Sequence, residues 1–235
     1  YNPKAIDLLT HYVGAHHSSD FQIADIGAGT GNLTIMLLER GLAVTAVEPN
    51  DEMREIGIER TATVQNVKWI KANGVDTTLV DSYADWVTFG SSFNVMDREL
   101  ALKESYRILR TNGFFSCMWN HRNLHDPIQE AAENIIVQFV PDYDRGVRRE
   151  DQRPILEQHS NLFKEILYLE SDFEVPRTID EYIMAWRSVK NRHWDLSTTE
   201  GETLFGKITE TMRKQLPATF SIRYTTRAWT AQKAD

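Results

Sequence analysis

Two carboxylates and three glycines within the first fifty residues have the spacing to hold a small molecule. Asp25 stands near the end of an apolar run, Phe21-Gln22-Ile23-Ala24-Asp25-Ile26, and Gly27, Gly29 and Gly31 follow it in the stretch GAGTGN. Ile23, Ala24 and Ile26 have the apolar, β-branched bias of a buried strand. The glycines strip side chains from a turn that must bend sharply or take positive φ, which lets a ligand approach bare backbone. Leu33, Ile35, Met36, Leu37 and Leu38 continue at once as a helix, so the turn's amides open onto a helix N-terminus that favours a ligand's oxygens. A second buried strand over residues 43–47 closes on Glu48. A carboxylate in that position can accept both hydroxyls of a ribose at once.

Those residues need a sheet to hold them, and the chain supplies its parts in order. Asn2 and Pro3 precede Ala5, Ile6, Leu8, Leu9, Tyr12 and Val13 at helical spacing, a helix expected to cover the sheet. Asn50 or Asp51 can cap a helix carrying Met53, Ile56 and Ile58. Residues 64–72 read as a third strand ending at Asn73-Gly74, and residues 84–89 as a fourth. Gly90-Ser91-Ser92 then forms the loop at its C-terminal edge, where open α/β sheets place ligands. Asp97 is expected to cap a helix over residues 98–109 with Leu100, Ala101, Ile108 and Leu109 facing the sheet, and Asn112-Gly113 supplies left-handed residues for its stop. Residues 114–120 are the fifth strand.

From residue 121 to about 162 the strand-helix rhythm lapses. One amphipathic helix through Ile128, Ala132, Ile135, Ile136 and Phe139 is followed by a charged, aromatic loop. That loop holds Arg145, Arg148 and Arg149, interrupted by acids and read as a solvated face. Residues 163–173 form a sixth strand. Thr178 to Glu181 is a capping box opening a helix with Tyr182, Ile183 and Trp186, and Thr199 to Glu202 is a second one before Leu204, Phe205, Ile208 and Met212. Trp186-Arg187-Ser188 with Arg192-His193-Trp194 is the densest aromatic-cation cluster, able either to hold an anionic or aromatic molecule or to pack a cap onto the body. Residues 219–231 alternate as a seventh strand with a polar-rich, partly exposed face.

The chain is thus expected to be α/β: a seven-stranded, mostly parallel, doubly wound sheet with an antiparallel last strand, plus a helical cap insertion. Residues 1–122 and 163–235 would form the core and 123–162 the insertion, within one domain, with the helices of 176–216 contributing to the cap. Acidic residues outnumber basic ones by 34 to 26, a net charge of −8, which argues against nucleic acid because nothing offsets phosphate repulsion. A small-molecule partner is favoured. Cys117, alone, makes no internal disulfide and fits a buried thiol in a reducing compartment. His16 and His17 lie in a loop without acid or cysteine at metal spacing, so no metal is expected. No apolar run approaches the ~20 residues of a membrane span, and no secretory leader is read, so the expectation is cytoplasmic and off the membrane. The first residue is Tyr1 rather than Met, which leaves room for a preceding N-terminal lid.

A G-x-G-x-x-G dinucleotide fingerprint would need glycine where Asn32 stands. The pattern Asp25-x-Gly27-x-Gly29-x-Gly31 instead resembles the first motif of class I S-adenosylmethionine-dependent methyltransferases, in the type 11-like small-molecule branch. Glu104 to Asn112 resembles a structural motif of the same family eighty residues on, although its usual Pro-Gly is replaced. The resemblance covers residues 21–120 well and 163–231 loosely. It implies S-adenosylmethionine as cofactor, S-adenosylhomocysteine as product, and a Rossmann-like fold. It places Asp25, Gly27, Ala28, Gly29, Thr30, Gly31, Glu48, Pro49, Met53, Asn73, Gly74, Phe89 and Gly90 around the cofactor, with Met53 against adenine and Tyr1 at the cofactor mouth. Trp119 and Asn120, by the resemblance, and Trp186 and Arg187, from the aromatic-cation cluster, are the residues offered to a small-molecule acceptor.

Relatives often read His-Trp-x-Asp where this chain has Asn94-Val95-Met96-Asp97, so a histidine base is lost and no residue is singled out as catalytic. Proximity-driven methyl transfer is the resulting expectation. Two alternatives stand beside it, a nicotinamide oxidoreductase on a similar sheet and a binder of S-adenosylmethionine without activity. Acceptor, methylated atom and oligomeric state are not read from the sequence.

Overall fold

Short apolar runs alternating with amphipathic segments give the expected layering of strands and covering helices. The computed structural model describes residues 1–18, 20–123, 125–143, 150–187 and 193–235. The basic run at Arg145, Arg148 and Arg149, and Ser188 and Arg192 of the aromatic-cation cluster, lie outside the described residues. Helix α1 (Pro3–Tyr12) leads to β1 (Gln22–Ile26), α2 (Asn32–Leu38), β2 (Ala43–Val47), α3 (Asp51–Arg60) and β3 (Val67–Ile70). Then come β4 (Ala84–Gly90), a 3-10 turn (Phe93–Val95), α4 (Arg98–Ile108) and β5 (Leu109–Arg122). The rest is α5 (Pro127–Phe139), α6 (Arg153–Gln158), β6 (Phe163–Thr178), α7 (Ile179–Arg187), α8 (Thr199–Gln215) and β7 (Thr219–Lys233).

The sheet has seven strands in the order β3-β2-β1-β4-β5-β7-β6, mostly parallel with antiparallel last strands. Strand order reverses between β1 and β4, which pair in parallel with Asp25 opposite Thr88. Reversals of this kind open a crevice at the strands' C-terminal ends. That crevice is where the glycine turn begins.

The chain divides into two units. The first is Tyr1–Asn120, Asp151–Ser171 and Thr226–Asp235; the second is His121–Glu150 and Asp172–Thr225. Residues 151–162, expected within the insertion, therefore group with the first unit. Leu156 of α6 is fully buried in one cluster with Phe163, and Trp229 Nε1 donates to Asp151 Oδ1 at 2.9 Å. In the second unit α5, α7 and α8 enclose their own core of Ile136, Tyr182, Trp186, Phe205, Ile208 and Met212. Among the described residues no helix is long and apolar enough to cross a membrane, and no three His, Cys, Asp or Glu side chains gather to hold a metal.

Several local expectations need correction. Leu100 is 47% exposed, and Leu102, with Ala101 and Ile108, takes the buried face of α4. Helix α8 is capped one residue early, by Thr198, whose Oγ1 accepts from the Gly201 amide. Glu202 pairs with Arg187 instead of closing a capping box. The later half of β7 is buried on both faces because it lies between β5 and β6 rather than at an edge. Helix α4 stops at Ile108 with Leu109 already extended, so Asn112, at positive φ, lies within β5 instead of ending the helix. The other N-terminal caps fall where read: Asn50 accepts from Met53, Asp97 from Leu100, and Thr178 and Glu181 bond reciprocally.

Trp69 on β3 forms a shelf against α3 and the glycine turn. A methyl group on Gly57 would sit 2.2 Å from Trp69 Cη2. Gly57→Ala should therefore push the indole or the helix aside and cost about 1–3 kcal/mol. Urea midpoints check this; an unchanged midpoint would mean that the indole moves freely.

Candidate functional site

Strand β1 delivers Asp25 to the crevice with no exposed surface. Thr34 Oγ1 on α2 donates to Asp25 Oδ2 at 2.6 Å, and Thr88 Oγ1 on β4 donates to Oδ1 at 2.9 Å. Neither of these partners is a cation, so burial lifts its carboxyl to about 6 against the opposing pull of the two threonines, with the charge of Glu48 adding to the rise. The sign for stability follows. Between the ordinary carboxylate value and about 6 the folded chain holds a proton that the unfolded chain has released, so stability declines as pH rises through that window, by about 3 kcal/mol. Asp25→Asn should flatten that part of the curve. Urea midpoints for both proteins across the window test it, and parallel curves would contradict it.

Glu48 follows β2 and is also buried. Its Oε2 accepts from the Gly29 amide at 2.8 Å and its Oε1 from the Asn50 amide at 2.9 Å. The amides of Gly27 and Ala28 both point to the Val47 carbonyl, and that of Gly31 to Ala28. The turn is therefore less bare than its sequence implies. Within 27–31 the Thr30 amide alone has no acceptor among the described residues. The glycines are needed for shape: Gly27, Gly29 and Gly31 all have positive φ.

These groups line one cavity of about 940 Å³. Asp25, Gly27, Ala28, Gly29, Thr30, Glu48, Pro49, Met53, Asn73, Gly74, Gly90 and Asn120 all face it, as does Tyr1, whose hydroxyl lies 3.0 Å from Ser91 Oγ. Asn73 Oδ1 accepts from the Val75 and Asp76 amides, so its amino group is the part left for a ligand. Asn120 Oδ1 accepts from Thr226 Oγ1 at 2.6 Å, and the Asn2 amide donates to that same hydroxyl at 2.8 Å.

Other expected residues do not line the cavity. Gly31 backs onto Trp69, and Phe89 is fully buried among Phe93 and Phe115. Trp119 packs edge-on against Trp229 and donates to Asn94 Oδ1. Trp186 and Arg187 belong to the second unit, the first buried in its core and the second paired with Glu202. Ser92, in the loop already expected at the ligand edge, lines the cavity, and so do Val95 and Met96, which were not placed around the cofactor. The available signal was the loop after β4; what hid them was the 3-10 turn, which carries no strong sequence mark.

Residues 24–117 match the family model described as a methyltransferase domain. This segment is similar to class I methyltransferase domains. An uncharacterized methyltransferase of Mycobacterium tuberculosis is 35% identical to the chain over 123 residues, 52% of this chain and 47% of that protein. A demethylmenaquinone methyltransferase of Staphylococcus aureus is 35% identical over 98 residues, 40% of this chain and 41% of that protein. The chain thus spans about half the length of the relatives it matches. The solved structure of the YcgJ protein from Bacillus subtilis shares the fold, with a TM-score of 0.61 at 16% identity over 99% of each chain. Within the matched segment, β1, β2 and β4 bring Asp25, Glu48 and Gly90 to one edge of the sheet.

Proposed function

We propose that the methyltransferase domain binds S-adenosylmethionine in this cavity and transfers its methyl group to a small-molecule acceptor. The observation that carries the reading is the convergence on one cavity of Asp25, the 27–30 turn, Glu48, Met53 and Asn73. The donor set fits a nucleoside linked to an amino acid. Each Glu48 oxygen spends one lone pair on a backbone amide and keeps another, enough to accept two vicinal sugar hydroxyls. Met53 offers an apolar, polarizable surface to a purine, and the Asn73 amino group offers donors to its ring nitrogens. Asp25 places a buried carboxylate where a cationic ligand would find its counter-charge.

Bound S-adenosylmethionine supplies a methyl group already activated on a sulfonium. The chain's contribution is then to hold, align and keep water out. Alignment alone can supply on the order of 7–11 kcal/mol in favourable intramolecular models. Asn94 and Val95 offer no base at the position where relatives often carry histidine, so an acceptor that attacks as a phenolate or carboxylate suits the domain best. Incubation with methyl-labelled S-adenosylmethionine and a panel of small phenols, acids and amines, reading S-adenosylhomocysteine and labelled product, tests this. Turnover of at least one oxygen acceptor is expected, with less than about tenfold loss on replacing Asn120 or any histidine. A loss near ten-thousandfold at one of them would contradict a proximity mechanism.

A further inference from the structure

Arg122, the last residue of β5, stands two positions after Asn120 in the chain and belongs to the second unit. Its guanidinium carbon lies 4.2 Å from the centroid of the Trp186 ring and 5.5 Å from that of Tyr182. Both rings are buried, so the platform is fixed. Tyr182 is fixed further by its hydroxyl, which donates to Gln129 Oε1 at 2.8 Å, and Gln129 Nε2 donates in turn to Glu133 Oε1 at 2.6 Å.

Among the described residues no carboxylate lies within ion-pair distance of Arg122, whereas Arg187 and Arg213 of the same unit meet Glu202 and Asp180. A half-buried guanidinium without a counter-charge has lost hydration without an ionic return. Stacking on an indole recovers part of that loss through the ring face, and it engages the flat side of the guanidinium rather than the planar edge that carries its forked donors. An edge of that kind matches a carboxylate or phosphate bidentately.

We propose that Arg122, laid on Trp186 and Tyr182, is an oxyanion-recognition site of the second unit that takes the carboxylate or phosphate of a small molecule. The whole chain should be titrated with inorganic phosphate and, separately, with benzoate while the arginine Nε–Hε resonances are followed, the Arg122 signal being identified by its loss in Arg122→Gln. A saturable shift of that signal is expected, and calorimetry should show Arg122→Gln weakening either anion by about tenfold to a hundredfold. Arg122→Lys, which keeps the stem and the charge but not the fork, should fall between the two and guards against a simple folding defect. An Arg122 signal that does not move, or equal affinity in Arg122→Gln, overturns the site.

Discussion

Glu48→Ala should bind S-adenosylhomocysteine at least about a hundredfold more weakly than wild type, because two hydrogen bonds to a carboxylate, each worth roughly 1.5–3 kcal/mol, are removed together. The side chain has a double duty. Its two oxygens already accept from the Gly29 and Asn50 amides, one in the glycine turn and one at the cap of α3. Removing it therefore also leaves two backbone donors without their acceptor, at about 1–3 kcal/mol for each that water fails to reach. Both losses have the same direction, and they separate by measurement. Calorimetry reports ligand affinity, and urea unfolding without ligand reports the turn. Glu48→Gln keeps one acceptor oxygen and the side chain's shape, so it should lie between wild type and alanine on both scales. A Glu48→Ala protein that titrates with wild-type affinity would show that the ribose is held elsewhere.

Gly27→Ala should be the most damaging single methyl group in the turn. Its φ is +65°, and the added carbon would stand 2.5 Å from Ser92 Cβ and 2.9 Å from Ser92 Oγ. A left-handed alanine costs roughly 1–2 kcal/mol, and overpacking adds about 1–3 kcal/mol. Ser92 has little room to retreat, since it is buried and its hydroxyl donates to the Ile26 carbonyl at 2.6 Å. The loop after β4 is thereby latched to the end of β1, and displacing it deforms two walls of the cavity at once. Stability should drop by about 2–5 kcal/mol, with ligand binding lost beyond what partial unfolding explains. Ser92→Gly removes the obstructing carbon, so Gly27→Ala/Ser92→Gly should recover about 1–3 kcal/mol relative to the sum of the single changes. A double-mutant cycle with no coupling would contradict the contact.

The parts of the site that the sequence discloses are those whose local chemistry has one solution. An apolar run ending in Asp25, followed by three glycines at every second place, can be little else than a strand feeding a tight turn. A carboxylate after the next strand is then carried to the same edge by the parallel pairing of β1 and β2. What stays hidden is decided by contacts far along the chain. Leu100 and Leu102 are equally apolar, and only the sheet's position makes the second one buried. Thr198 and Thr199 are equally good caps, and the outcome is settled by how tightly Gly201 sits on Asp195, whose carbonyl would be 1.9 Å from an added methyl group. Phe89 alternates correctly for a strand end, yet Phe93 and Phe115 draw it into the core and away from the cavity. The turn amides look available in sequence because hydrogen-bond partners such as Val47 and Glu48 are strangers to the local pattern. The second unit was least legible. Its core joins α5 to α7 and α8 across a long sequence separation, and no periodicity within any one helix announces which helix it will meet.

The most direct measurement is the structure of crystals soaked in S-adenosylhomocysteine. Both ribose hydroxyls are expected within hydrogen-bond distance of the two Glu48 oxygens, with the purine beside Met53 and the amino-acid end toward Asp25. A nucleoside found outside this cavity, or one whose sugar turns away from Glu48, would contradict the assignment of the cavity to the methyl donor.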